Sequence, residues 1–169
     1  MRINANSKIN LGLFVTRKRE DGYHELETVM LPVKGLYDIV DVERIDGEGV
    51  VFRGVGIAVD CAPDDNLCVR AARLMQERYG VGGVSITLDK RVPFGAGLGG
   101  GSADAAITLR ACNDVIGTNY TVEELSTMAA ARGSDVPFFL NPVISRCTGR
   151  GEIVTPEPEL AEWSSPIVL

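Results

Sequence analysis

The residues best suited to chemistry form one run, Pro93-Phe94-Gly95-Ala96-Gly97-Leu98-Gly99-Gly100-Gly101-Ser102-Ala103. Five of the seven positions from Gly95 to Gly101 are glycine, more than a plain turn needs. Glycine accepts positive φ and lets backbone approach a ligand closely, so successive N–H groups can converge on one concavity. The residues that follow, through Cys112, are helix-forming, and a helix start adds unpaired N–H donors and partial positive charge. A phosphate chain is the natural occupant of such a cradle. Ser102 stands where an N-cap belongs, and its hydroxyl has two readings, a cap on that helix or a contact to phosphate or Mg2+. The run is neither G-x-x-x-x-G-K-S/T nor a clean G-x-G-x-x-G after a parallel strand, so Walker and Rossmann readings fit poorly.

Several elements must hold this run in place. Tyr37 to Ile45 and Val84 to Leu88 alternate as half-buried, antiparallel-type strands, with Val84, Ile86 and Leu88 on one face. Between them a helix is expected from a cap at Asp64 or Asp65 through Arg78, with Leu67, Ala71, Leu74 and Met75 as its apolar stripe and Gly80 as its stop. Thr121 and Glu124 form a capping box at the head of a helix to Arg132, which buries Leu125, Met128 and Ala129 and stops at Gly133. Val136 to Leu140, with Pro137 near its start, reads as a short buried strand.

Bulk properties exclude several functions. A net charge of −6 and a pI near 4.8 argue against a nucleic-acid groove, which needs a basic stripe. The four cysteines, Cys61, Cys68, Cys112 and Cys147, never form C-x-x-C, so reduced thiols rather than zinc or redox motifs are expected. No signal peptide and no apolar run of membrane length is present, which predicts no membrane partner and a cytoplasmic protein. From Pro156 the composition turns to Pro156-Glu-Pro-Glu159, then Trp163 and the apolar triplet Ile167-Val-Leu169. A strand starting at the last residues would leave its edge and apolar face uncovered, so truncation is expected here.

At the glycine run, Pro-x-x-x-Gly-Leu-Gly-Gly-Gly-Ser resembles the second motif of the GHMP kinases. It has the extra glycine of the branch acting on a cytidine diphosphate-linked methylerythritol. Ser7-Lys-Ile-Asn-Leu11 resembles the first motif, Asp21-Gly-Tyr-His-Glu25 the cytidine-side loop, Asp65-Asn-Leu67 with Val69-Arg-Ala-Ala-Arg-Leu74 the first helix, and Gly133-Ser-Asp-Val-Pro137 the segment of the catalytic aspartate. The resemblance runs from about Ser7 to the chain end, in the family's order. It implies an α+β fold, the GHMP N-terminal domain of the ribosomal protein S5 domain 2-like type, with a mixed sheet and helices packed on one side. That domain would cover residues 1–155, and residues 156–169 would begin the connection into a second domain absent from this chain.

The same resemblance implies ATP and Mg2+ as cofactors and a small-molecule acceptor. It gives Asp135 the part of general base and Lys8 that of its neighbouring cation; read alone, Asp135 after Gly133 is a turn or capping aspartate and Lys8 a surface lysine. Lys8 and Asn10 alternate with Ile9 and Leu11, which puts both on one strand face. Asn10 resembles the substrate-contacting asparagine, the other reading being a hydrogen-bonded strand residue. Tyr23 and His24 resemble the pair that meets cytosine by stacking and by hydrogen bonding. His24 is the only histidine, so no zinc site is expected. Arg17-Lys-Arg19 reads as a solvated turn or as an attractor of the diphosphate. Gly149-Arg-Gly-Glu152 resembles the family's Gly-x-Gly-Glu turn, and a plain hairpin accounts for it. Another GHMP kinase, of mevalonate or homoserine type, or a non-catalytic nucleotide-binding module are the rival readings.

Overall fold

The computed structural model describes residues 1–79, 82–130, 133–162 and 165–167. The expected stop at Gly80, the helix end at Arg132, Trp163, and Val168-Leu169 of the terminal triplet lie outside the described residues.

One long strand organises the sheet. β2 (His24–Arg44) pairs antiparallel with β1 (Arg2–Lys18) from Lys18 opposite His24 to Arg2 opposite Asp41, with register shifts after Asn6, Leu11 and Val15. Two strands share its other edge. β4 (Val84–Lys90) pairs with Ile39 to Arg44, and β5 (Ser145–Gly149) pairs with Leu26 to Met30. β3 (Val50–Gly56) lies parallel to β4, and β6 (Ile153–Pro156) antiparallel to β5. The result is a mixed six-stranded sheet. The parallel pair needs a crossover, and α1 (Leu67–Tyr79) supplies it.

Helices α1 and α2 (Gly100–Ile116) pack on one face of the sheet. Val84, Ile86 and Leu88 project from β4 beside Val40 and Val42 of β2, against Met75 of α1 and Ala106 and Leu109 of α2. Alanines along α2 let the helix approach closely, and each fully buried large side chain such as Met75 or Ile86 contributes about 2 kcal/mol. α3 (Val122–Ala130) and α4 (Val136–Leu140) complete the layer, with α4 touching α2. The capping box is formed: Thr121 N–H donates to Glu124 Oε2 at 2.8 Å and Glu124 N–H to Thr121 Oγ1 at 3.3 Å.

Four local expectations are corrected. Val136 to Leu140 is a helix, because every one of its five residues is buried and a segment apolar all round carries no period. Pro137 fits its first turn, where no N–H partner is required. The cap of α1 is Asn66, whose Oδ1 accepts from Cys68 N–H at 3.0 Å, while Asp64 and Asp65 sit in a preceding 3₁₀ turn. Ser102 is not an N-cap, since α2 starts at Gly100 and Gly99 is the cap residue with φ 70°. β4 is antiparallel only toward β2, and its parallel neighbour β3 carried no readable alternation.

Candidate active site

The glycine run folds as an arch that ends in the first turn of α2. Gly99 has a left-handed backbone, and its carbonyl accepts the first helical bond from Ala103 N–H at 2.9 Å. The N–H groups of Gly100, Gly101 and Ser102 therefore have no intrahelical partner. Strand β1 anchors the arch, with Lys8 N–H donating to the Leu98 carbonyl at 2.9 Å. A Cβ on Gly99 would stand 2.7 Å from Phe139 Cζ and 3.0 Å from Lys8 Cγ, so the position has no room for one. Ser102 Oγ faces Gly133, 4.0 Å from where a Cβ there would lie.

Beside the arch, Lys8 Nζ lies 3.4 Å from Asp135 Oδ2 and donates to Asn10 Oδ1 at 2.5 Å. Asn10 Nδ2 donates onward to Thr28 Oγ1 at 3.0 Å, so the lysine is aimed by its strand neighbours. Lys8 is 6% exposed, which excludes the free surface lysine. Asp135 occupies the N-cap position of α4 yet makes no cap hydrogen bond. Its carboxylate is thus directed to Lys8 rather than to the helix.

Tyr23 and His24 stand at the far end of the β1–β2 hairpin. Arg19 donates to Asp21 at 3.0 Å and to Glu25 at 2.9 Å, and Arg17 lies 3.5 Å from Glu25, so these two arginines brace the hairpin. Tyr23 is 58% exposed, and the Arg150 guanidinium lies over its ring at 5.0 Å from the centroid. His24 is exposed and begins β2. The turn between β5 and β6 links this end to the Lys8–Asp135 pair, because a Cβ on Gly151 would be 3.5 Å from Asp135 Oδ1.

Two parts of the site escaped the sequence reading. A cavity of about 260 Å³ opens beside the arch, lined by Val59, Cys61, Leu67, Leu88, Phe94 and Gly101 among others. Below it lies a buried triad in which Lys90 Nζ pairs with Asp38 and, at 2.8 Å, with Asp104 Oδ2. Asp38 Oδ1 accepts the N–H groups of Arg91 and Val92, fixing the chain as it enters the arch. A Cβ on Gly100 would come within 2.9 Å of Lys90 Nζ. Burial lifts the Asp104 carboxyl to about 7; Lys90 opposes that lift and Asp38 adds to it. Burial lowers the Lys90 ammonium, but Asp104 and Asp38 outweigh it and leave its pKa above the usual value. Lys90 continues the Val84, Ile86, Leu88 face of β4, and an inward lysine on that face was the available signal.

All four cysteines are free; Cys68, Cys112 and Cys147 are buried and Cys61 is exposed. Among the described residues no group of three or more His, Cys, Asp or Glu could hold a metal, and no helix is long and apolar enough to cross a membrane.

These features define an α+β domain with a glycine arch and unpaired N–H groups at the start of α2. Residues 66–141 match the GHMP kinases N terminal domain. A 4-diphosphocytidyl-2-C-methyl-D-erythritol kinase of Chlorobium luteolum is 51% identical over 139 residues, covering 82% of this chain and 47% of the relative. The crystal structure of a 4-(cytidine 5'-diphospho)-2C-methyl-D-erythritol kinase superposes with a TM-score of 0.79 at 42% identity, over 93% of this chain and 55% of that one. A homoserine kinase from Cytophaga hutchinsonii, 20% identical, shares the fold with a TM-score of 0.68 over 90% of this chain and 51% of its own. The chain belongs to the GHMP kinases, and it spans about half the length of the curated relatives it matches.

Proposed function

We propose that this chain forms the phosphate-binding and acceptor-binding half of an ATP-dependent kinase. Its acceptor is a hydroxyl of 4-diphosphocytidyl-2-C-methyl-D-erythritol, in the non-mevalonate isoprenoid route. The observation that carries the reading is the Lys8–Asp135 pair, 3.4 Å apart, beside a helix start with unpartnered N–H groups. The names of the relatives at 42–51% identity support the acceptor.

In this mechanism the acceptor oxygen attacks the γ-phosphorus, the bond to the departing ADP oxygen breaks, and the hydroxyl proton passes to the Asp135 carboxylate. Lys8 offsets negative charge on the transferring group, and Asn10 holds Lys8 in place while meeting the acceptor. The N–H groups of Gly100, Gly101 and Ser102 meet the phosphates, with Pro93 to Leu98 and Ala103 shaping the arch. The adenine side takes the cavity next to Phe94. Tyr23 stacks on the cytosine and His24 hydrogen-bonds it.

Mg2+ fits the site in one respect. Ser102 offers a hydroxyl in the first turn of α2, whereas Asp104 is already committed to Lys90. That donor set suits an ion that keeps waters and is carried mainly by nucleotide phosphates, where it neutralises charge. A cytoplasmic location, where ATP is found and thiols stay reduced, goes with this reading.

The test is turnover of the full-length protein with three alcohols. ADP release is expected with the cytidine diphosphate-linked acceptor and not with mevalonate or homoserine. Phosphorylation of either of the latter in its place overturns the acceptor assignment. ATP binding without ADP release with any of the three overturns the kinase assignment.

A further inference from the structure

We infer that Thr28 is a positioning residue for the transfer step, one that fixes how Asn10 faces Lys8 and so where the Lys8 ammonium stands against Asp135. The inference rests on the kinase reading above and extends it to a residue given no role there. Its first support is the direction of the hydrogen bonds. An ammonium can only donate, so the atom that Asn10 turns to Lys8 Nζ, 2.5 Å away, is Oδ1. The amide is then committed, and its Nδ2 points to Thr28 Oγ1 at 3.0 Å. Thr28 accepts there, and its own proton goes to the Gly12 carbonyl at 2.5 Å. From Lys8 to Gly12 each proton has one place.

The second support is the place prepared for that hydroxyl. Thr28 is 3% exposed, on the strand face it shares with Met30 and across the ladder from Cys147, where valine would fill the same space with no polar group to satisfy. Its acceptor is equally specific. Gly12 has no residue opposite it in β2, because the β1–β2 register shifts between Leu11 and Leu13, and its φ of 68° lies in the left-handed region that glycine enters freely. The bulge thus supplies the carbonyl on which the relay ends. Without the hydroxyl, Nδ2 loses its acceptor, and an amide turned over sets its NH2 group against the ammonium.

Steady-state kinetics of the full-length protein with the cytidine diphosphate-linked acceptor test this. Thr28→Val is expected to lower kcat by about 10-fold, the scale of one buried hydrogen bond, with KM for ATP within about twofold as the check on folding. Thr28→Ser keeps the hydroxyl and loses only the methyl that stiffens χ1, so kcat should return to within about threefold of wild type. A cycle separates positioning from stability. In an Asn10→Ala background the group that Thr28 aims is gone, and Thr28→Val should cost less than about twofold more. If the valine variant does not fold, Thr28→Ala takes its place with the same expectations. A wild type that releases no ADP overturns the kinase reading itself. With an active wild type, three results overturn the role of Thr28 alone: a valine variant within about twofold of it, a serine variant no better than valine, or a loss of about 10-fold that persists in the Asn10→Ala background.

Discussion

Lys8 Nζ sits 3.4 Å from Asp135 Oδ2, although the two residues belong to a β-strand and a helix cap 127 positions apart, 135 − 8. The lysine is buried and the carboxylate partly open. That asymmetry suits a cation held rigid beside a base that must accept a proton from a diffusing ligand. Asp135→Asn keeps the shape and removes the basicity, so kcat of the full-length protein should fall by about 10²–10⁴-fold with KM for ATP little changed. Steady-state kinetics check it, and turnover within a few-fold of wild type would show that the base lies elsewhere.

Gly99 and Gly97 both have positive φ, 70° and 76°, but only Gly99 is crowded. Alanine at 97 meets open space and should cost about 1–2 kcal/mol from backbone strain alone. Alanine at 99 must also displace Phe139 and the Lys8 stem, so it should destabilise the protein further and weaken ATP binding. Denaturant melts of the two variants, paired with nucleotide titrations, separate strain from crowding. Equal losses at the two positions would contradict the packing described for the arch.

Asp104 should give stability a falling limb with pH. Its carboxyl ionises near 4 in the unfolded chain and near 7 in the fold, so between those values the folded state holds the extra proton. Stability from this group is full below about pH 4 and is lost as pH rises through about 7. Asp104→Asn should flatten that limb in chemical denaturation series run from pH 4 to 8. An unchanged slope in the variant would assign the proton to another group.

Cys61 is the exposed cysteine and lines the cavity next to the arch. Burial pushes the Cys112 thiol up to about 12 and the Cys147 thiol up to about 11, and Cys68 is raised likewise, so these three should resist alkylation. A single fast modification at Cys61 is expected by mass spectrometry, slowed by ATP. Failure of ATP to protect Cys61 would place the nucleotide elsewhere.

What could be read in advance follows the range of the interactions. The capping box at Thr121 and Glu124 spans four residues, and both it and the buried stripe of Leu125, Met128 and Ala129 form as the spacing indicates. The Lys8 and Asn10 alternation was equally local. Val136 to Leu140 failed because burial on every side erases the period that separates strand from helix. Asn66 displaced Asp64 and Asp65 as cap because three adjacent polar residues compete for one position. Lys90, Asp38 and Asp104 meet across separations of 52 and 14 residues, a relation no local pattern expresses.

β2 carries β4 and β5 on different stretches of the same edge, so these two strands are attached to one strand without pairing with each other. The turn between β5 and β6 and the Tyr23 loop can therefore be exchanged without breaking the pairing of β2 with β4. In engineering terms the domain has a fixed chassis with two exchangeable loops. Under the acceptor assignment proposed above, new acceptor alcohols are best sought by recombining residues 17–26 with turn residues 149–152, which leaves the core residue Cys147 in place.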